Sequence, residues 1–309
     1  MNDVRNPAVA GLFYENRPQV LREAIEALLL ERDAEALARA APGVPPCAPA
    51  PVPAENVTAL LLPHAGHMYS GRIAAAGVGA VLWPRRVILL GPNHRGAGAP
   101  LAISPASAWR TPLGDLPVSS RLSAALLAEG PFEKDGKAHA REHALEVIAP
   151  FLQVVRPDVE AAFVSVGRAD LALCEAAGRA VAEVVKSFAL HGEKIALVVS
   201  SDLNHYLDRA ANWRKDLRAL ELLLEGDPEV FFRGVLYEDD ISMCGVLPAT
   251  VLLYALRSLP SATGRVLLHG DASATSGDAE RVVGYAAVLW ESRRESSSGS
   301  PDRREALPG

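Results

Sequence analysis

An α/β fold, with a mainly parallel central sheet sandwiched by helices, is what this sequence predicts, and two observations predict it. Four short apolar runs, "VTALLLP" (57–63), "RRVILLG" (85–91), "EAAFVSVG" (160–167) and "EKIALVVSSD" (193–202), have the length and β-branched content of buried strands. Stretches that are Ala-rich or apolar at helical spacing, 71–83, 141–155 and 169–189, separate most of them. That β-α-β-α-β order favours parallel strands covered on both faces.

The remaining elements follow in chain order. Residues 17–40 place Leu21, Ile25, Leu28 and Leu29 on one stripe, the pattern of an amphipathic helix. "APGVPPCAPAPVPAE" (41–55) is too rich in proline for a helix and reads as a surface connection, with Cys47 incidental to it. Gly245 and Pro248 mark a turn into an apolar helix over roughly 246–256, and "GRVLLHG" and "RVVGYAAVLW" are two closing strands. "ESSSGSPDRREALPG" has little to bury, so 293–309 is expected to be a disordered tail and 1–292 a single domain. No repeat of solenoid period is visible.

Bulk properties exclude several functions. The net charge of −6 is mild and interspersed, unlike the basic footprint a nucleic acid needs. No apolar run spans a bilayer, and "MNDVRNPAVAG" lacks the order of a signal peptide, so no membrane association and a cytoplasmic location are expected. Three widely spaced cysteines, Cys47, Cys174 and Cys244, argue for free thiols over a disulfide framework.

Chemistry gathers at strand ends. "LLLPHAGHMYSG" carries His64 directly after the first predicted strand, and "GPNHRG" carries His94 after the second. If those strands are neighbours, they run parallel about 4.8 Å apart and release both imidazoles at one carboxyl edge, where open α/β sheets bind ligands. "VVSSDLNHY" brings Asp202 and His205 out of a third strand, so three of the eight histidines follow strand ends. Cys244 precedes the turn into its helix, where the helix dipole biases a thiol toward thiolate, the form that binds metals. Neutral imidazole and thiolate are donors that zinc, iron and copper prefer, with Asp202 an oxygen ligand or an orienting partner. Taken singly, a histidine after a strand is most often a loop residue. Cys174 lies in an Ala-rich helix as a small core residue, and His67, past Gly66, is expected to back the site or face solvent.

A competing motif is "HAREH" (139–143), the H-x-x-E-H order in which inverted zinc proteases bind zinc through two histidines and use the glutamate as general base. A zinc hydrolase using His139, Glu142 and His143 is therefore a minor alternative, weakened because "KDGK" places the helix start close to His139.

Eight blocks, "AGLFY", "PHAGHMYSG", "GPNHRG", "TPLGDLPV", "EHALEVIAPFL", "VVSSDLNHY", "MCG" and "RVVGYAAVLW", occur in the order and near the spacing of the Memo family, also called AmmeMemoRadiSam system protein B. The resemblance covers about residues 5–290. It implies a fold similar to class III extradiol dioxygenases, with His64, His94 and Cys244 matching metal ligands for iron or copper. It also implies that Tyr69, Asp202 and His205 line the same pocket. His67 stands where the family often has Tyr, and Phe13-Tyr14 where it usually has Trp-Tyr, while His139 falls outside the matching block. A cysteine in place of the dioxygenases' carboxylate gives a softer, redox-sensitive donor set, so the fold does not carry the reaction across.

Two functions are expected to compete for this cleft. The first is an iron or copper oxidoreductase, zinc being a third metal the donors accept, acting on an unidentified small molecule. In it His205 is general acid/base oriented by Asp202, and Tyr69 donates a hydrogen bond to oxygen or substrate. The second is a non-catalytic adaptor that holds phosphopeptides or small anions. The family name also implies a pathway association with a radical SAM protein and an AMMECR1-like protein.

Overall fold

A computed structural model describes residues 3–38 and 50–292; Cys47, most of the Pro-rich connection and the C-terminal tail lie outside the described residues. Six long strands are labelled here β1 (Val57–Leu62), β2 (Arg86–Pro92), β3 (Glu160–Val166), β4 (Ile195–Ser200), β5 (Ala262–Asp271) and β6 (Val282–Ser292). The longer helices are α1 (Pro18–Ala38), α2 (His67–Val78), α3 (Ser120–Glu129), α4 (Leu171–Leu190), α5 (Arg209–Glu225) and α6 (Val246–Ser258).

β1, β4, β2 and β3 lie side by side in that order and run parallel. Antiparallel strands flank this centre: β6 with β5 and His205–Leu207 on one side, Leu101–Ile103 on the other. β1 and β2 are not neighbours, because β4 is inserted between them. The consequence favours a site: the chain leaves three adjacent carboxyl ends at His64, Asp202 and His94.

Alternation along the strands builds two cores, one on each face, as the period of two requires. Ala59 and Leu61 pack with Ile88, Leu197, Cys174 and α6, whereas Leu60 and Leu62 pack with Leu89, Val198, Ile25 and Phe151. Both faces are covered, so every residue of β4 is buried. Cys174 is fully buried as a core residue, and burial pushes its thiol up to about 12. No helix among the described residues is long and apolar enough to cross a membrane.

One predicted helix is half wrong. Residues 141–155 are helical only over Ala149–Val155, while 141–148 run as turns. The reason is a buried ion pair that replaces the helix ladder. The Arg5 guanidinium bonds the Glu146 carboxylate and donates to the carbonyls of His139 (3.1 Å) and Glu142 (2.6 Å). Glu146 in turn accepts from the backbone of Ala8 and Val9 and from the Tyr14 hydroxyl at 2.7 Å. Trp109 lies 4.2 Å beneath the guanidinium. The N-terminal segment thereby fixes the turn that carries Glu142 and His143.

"HAREH" is not on one helix, since the helix there ends at Ala140. His139 is buried, donates from Nε2 to the Ala102 carbonyl at 3.1 Å and packs against Trp109, away from the other two residues of the motif. The zinc-protease arrangement is thereby excluded on geometry. Burial holds the His139 imidazole down at about 4, from an ordinary 6.5, with the Ala102 contact opposing. A histidine whose folded value is depressed contributes stability fully above 6.5 and loses it as pH falls through the folded value. His139→Gln is therefore expected to flatten the fall of unfolding free energy between pH 6.5 and 4, by on the order of 2–3 kcal/mol, in urea titrations. Its metal content is expected to equal that of the parent protein, and loss of metal would restore the protease reading.

Candidate metal centre

His64 follows β1 directly and is fully buried. Its Nδ1 lies 2.7 Å from Ser200 Oγ, which itself donates to the Ala144 carbonyl at 2.7 Å. Ser200 therefore accepts from Nδ1–H, which fixes the tautomer and leaves the Nε2 lone pair free. That Nε2 faces Cys244 Sγ at 3.3 Å. Burial, then the neighbouring His94 and His143 rings, hold the His64 imidazole well below its usual range, so it is neutral and able to donate its lone pair.

His94 is fixed by a carboxylate. Its backbone N–H donates to Glu142 Oε2 at 2.7 Å and its Nδ1 to Oε1 at 2.9 Å, which leaves its Nε2 bare as well. This is the carboxylate–histidine pairing that orients metal-ligating imidazoles. Glu142 also accepts the N–H groups of His143 and Ala144. Burial alone would raise its pKa, but the His94 hydrogen bond and charge and the Ala144 N–H outweigh it, leaving the carboxyl at about 2.

Cys244 reaches the site because the next residue is glycine. A Cβ on Gly245 would sit 2.3 Å from Ser201 Cβ, so only glycine lets this loop close on the end of β4. Sγ then accepts the Asp202 N–H at 3.2 Å. The expected bias toward thiolate is reversed: desolvation of the partly buried sulfur, and secondarily the Asp202 carboxyl, push the thiol up. A cation at the site would supply the missing charge and deprotonate it.

The donor atoms of His64, His94 and Cys244 all lie within 4.8 Å of one another. Two ligands on one tetrahedral ion at bond lengths of about 2.0 and 2.3 Å stand roughly 3.5 Å apart, so the 3.3 Å between Nε2 and Sγ suits a shared ion. The donors thus fit a soft or borderline metal. His94, Glu142 and His143 form a second close group. Four N–H donors already occupy its carboxylate, so it reads as the support of the first. Glu142→Gln, which swaps one acceptor oxygen for an amide donor, is expected to weaken metal affinity about 10- to 100-fold in chelator competition.

His64 and His94 open onto a cleft of about 380 Å³, lined also by Phe13, Tyr69, His143, Asp202, His205, Tyr206 and Tyr285, with Cys244 behind His64 rather than in the lining. A larger cavity of about 690 Å³ at the opposite, amino edge of the sheet, lined by Val57, Leu190 and Ile195, has no histidine or cysteine. His205 lines the cleft but is outside the three-donor group. Its orientation, expected from Asp202, comes instead from Ser242, whose carbonyl lies 2.8 Å from Nδ1 and whose hydroxyl accepts the backbone N–H. Asp202 accepts the N–H groups of His64 and Ala65, which ties the turn after β1 to the end of β4. Tyr69, on the first turn of α2, is partly exposed at the rim.

His67 turns away from the metal group. Its Nε2 contacts the Val147 carbonyl at 2.9 Å and its ring packs on Phe151 and Tyr14, so it is neither at the site nor in solvent. His143, weighed in the sequence only as a zinc ligand of the protease motif, lines this cleft instead. Its ring stacks on His94 at 4.7 Å between centroids and packs against Phe13. The adjacent Glu-His of "EHALEVIAPFL" was the available signal, obscured by assigning the segment to a helix.

Comparison with known proteins places the chain as follows. The family description "Memo-like protein" matches residues 5–289. A "MEMO1 family protein" of Thermotoga neapolitana is 36% identical over 290 residues, covering 93% of this chain and 99% of that one. A relative of the same description from Pyrobaculum aerophilum is 36% identical over 297 residues, covering 93% and 99%. Another, from Aquifex aeolicus, is 32% identical over 291 residues with the same coverage. Among solved structures, the uncharacterized protein JW3007 from Escherichia coli K12 is 17% identical, with a TM-score of 0.47 over 75% of this chain and 99% of that one.

Proposed function

This chain belongs to the Memo-like family, and from that premise we propose that it is a metal-dependent redox protein holding iron or copper through His64, His94 and Cys244. The observation that carries the reading is the pair of imidazoles whose Nδ1 atoms are each engaged by a protein partner, which leaves Nε2 as the donor atom, that of His64 already facing the sulfur with which both are grouped. Such a metal, when bound, supplies Lewis acidity and one-electron chemistry. The protein's own groups do the rest. Ser200 and Glu142 hold the two imidazoles in the ligating tautomer. His205, with Nδ1 engaged by Ser242, presents Nε2 to the cleft as a proton acceptor, and Tyr69 offers a hydroxyl at the rim. Zinc fits the same donors and would confine the site to acid–base chemistry.

An adaptor for phosphopeptides would need fixed cations. Among the described residues no lysine or arginine lines the cleft, and Asp202 and Glu142 place carboxyls in or beneath it, which weighs against an anion as the native ligand. Anaerobic purification followed by elemental analysis tests the proposal. Close to one equivalent of iron or copper is expected, and a metal-free chain would overturn it.

A further inference from the structure

Asp216 lies on α5 with no exposed surface, and among the described residues no lysine or arginine pairs with it. Its Oδ1 accepts the Asn204 N–H at 2.8 Å, and its Oδ2 accepts from Asn212 Nδ2 at 3.2 Å and from His269 Nε2 at 3.1 Å. A Cβ on Gly284 would stand 2.0 Å from that Oδ2, so β6 carries glycine where the carboxylate presses against it. Burying a carboxylate without a permanent cation is costly, and the metal group uses none of these side chains. The network they form continues to the cleft.

Asn212 Nδ2 also donates to the Asn204 carbonyl at 3.1 Å, so its Oδ1 is left to accept from Asn204 Nδ2 at 2.8 Å. That turns Asn204 Oδ1 toward Ser242, where it accepts the N–H at 3.0 Å and the hydroxyl at 3.1 Å. With its proton committed there, the Ser242 hydroxyl accepts the His205 N–H at 2.8 Å, and the Ser242 carbonyl takes the Nδ1 proton at 2.8 Å. Donors and acceptors thus alternate in one sense from Asp216 to the His205 ring. Strand pairing does not do this work, because the register with β6 shifts between His205 and Leu207, and Tyr206 between them stands at φ 65, where a tyrosine is rare.

We infer that Asp216 is a positioning residue for the cleft: through Asn212, Asn204 and Ser242 it holds His205 as the Nδ1–H tautomer, with Nε2 free to accept a proton. This rests on the reading of His205 as the proton acceptor and names the residue that governs it. Asp216→Asn keeps the shape but breaks the alternation. Its amide has to turn an N–H either toward the Asn204 N–H or toward Asn212 Nδ2, and no rotation satisfies both.

The test reads ring 15N shifts of the full chain labelled at histidine and loaded with zinc, which is diamagnetic, with the His205 signals assigned from His205→Gln. The parent ring is expected to carry its proton on Nδ1. In Asp216→Asn the ratio of the Nδ1–H to the Nε2–H form is expected to fall about tenfold, while zinc content and the His64 and His94 tautomers hold. In an Asn204→Ala background, which removes the link, Asp216→Asn is expected to change the ratio no further. Should the buried variants fail to fold, Ser242→Ala alters an exposed residue and is expected to lower the ratio several-fold. A melting temperature that falls in Asp216→Asn with the ratio unchanged, an equal effect in the Asn204→Ala background, or an unchanged ratio in Ser242→Ala would each overturn the inference. A parent ring protonated on Nε2 would overturn the acceptor reading of His205 as well. A chain that binds no metal would overturn only the metal reading, since the same shifts are then read without zinc.

Discussion

Cys244→Ser is expected to fold normally and to lose most of its bound metal. Serine keeps the shape and can still accept the Asp202 N–H that Sγ now takes at 3.2 Å, so the loop beside Gly245 has no reason to open. A serine hydroxyl, however, is a far poorer donor than a thiolate to iron, copper or zinc. Since partners that merely orient a ligand contribute about 10- to 100-fold in affinity, loss of the sulfur itself should weaken binding by at least about 100-fold. Elemental analysis after anaerobic purification reads this directly. Cys174→Ser, altered on α4 in the core, is the matched control and should keep its metal. Full occupancy in Cys244→Ser would make the cysteine a bystander and leave the two imidazoles in need of another partner, with Asp202 or His205 first to be tested.

Arg5→Met is expected to be the most destabilising single change in the N-terminal segment. It removes the cation that faces Glu146, a carboxylate at 0% exposure, together with the donors to the His139 and Glu142 carbonyls. Removing one partner of a buried ion pair typically costs about 3–5 kcal/mol, because the other charge stays buried and uncompensated. Urea unfolding should show a loss of that size. The same turn presents Glu142 to His94, so metal affinity is expected to fall as well, even though Arg5 touches no metal donor. A loss below about 1 kcal/mol would mean that Glu146 is satisfied by Ala8, Val9 and Tyr14 alone.

The strands were legible because burial on both faces writes itself as continuous apolar runs, as at 57–62 and 195–200. The placement of His64, His94 and Asp202 followed from those strand ends without knowledge of strand order, which is why inserting β4 between β1 and β2 left the reading of the edge intact. What stayed hidden depends on partners far apart in sequence. The turns of 141–148 look helical locally, but Arg5 and His94, 137 and 48 residues from Glu142, claim its carbonyl and its carboxylate. The state of Cys244 was misjudged for a similar reason. The helix dipole is readable from sequence, whereas the burial and the Asp202 carboxyl that outweigh it are tertiary.

The central claim, that His64, His94 and Cys244 hold one metal, is tested most directly by X-ray absorption at the metal edge of anaerobically purified protein. The account predicts close to one equivalent of iron or copper, with nitrogen at about 2.0 Å and a single sulfur at about 2.3 Å that is absent in Cys244→Ser. A coordination shell without sulfur in the parent protein, or one that survives unchanged in Cys244→Ser, would contradict it.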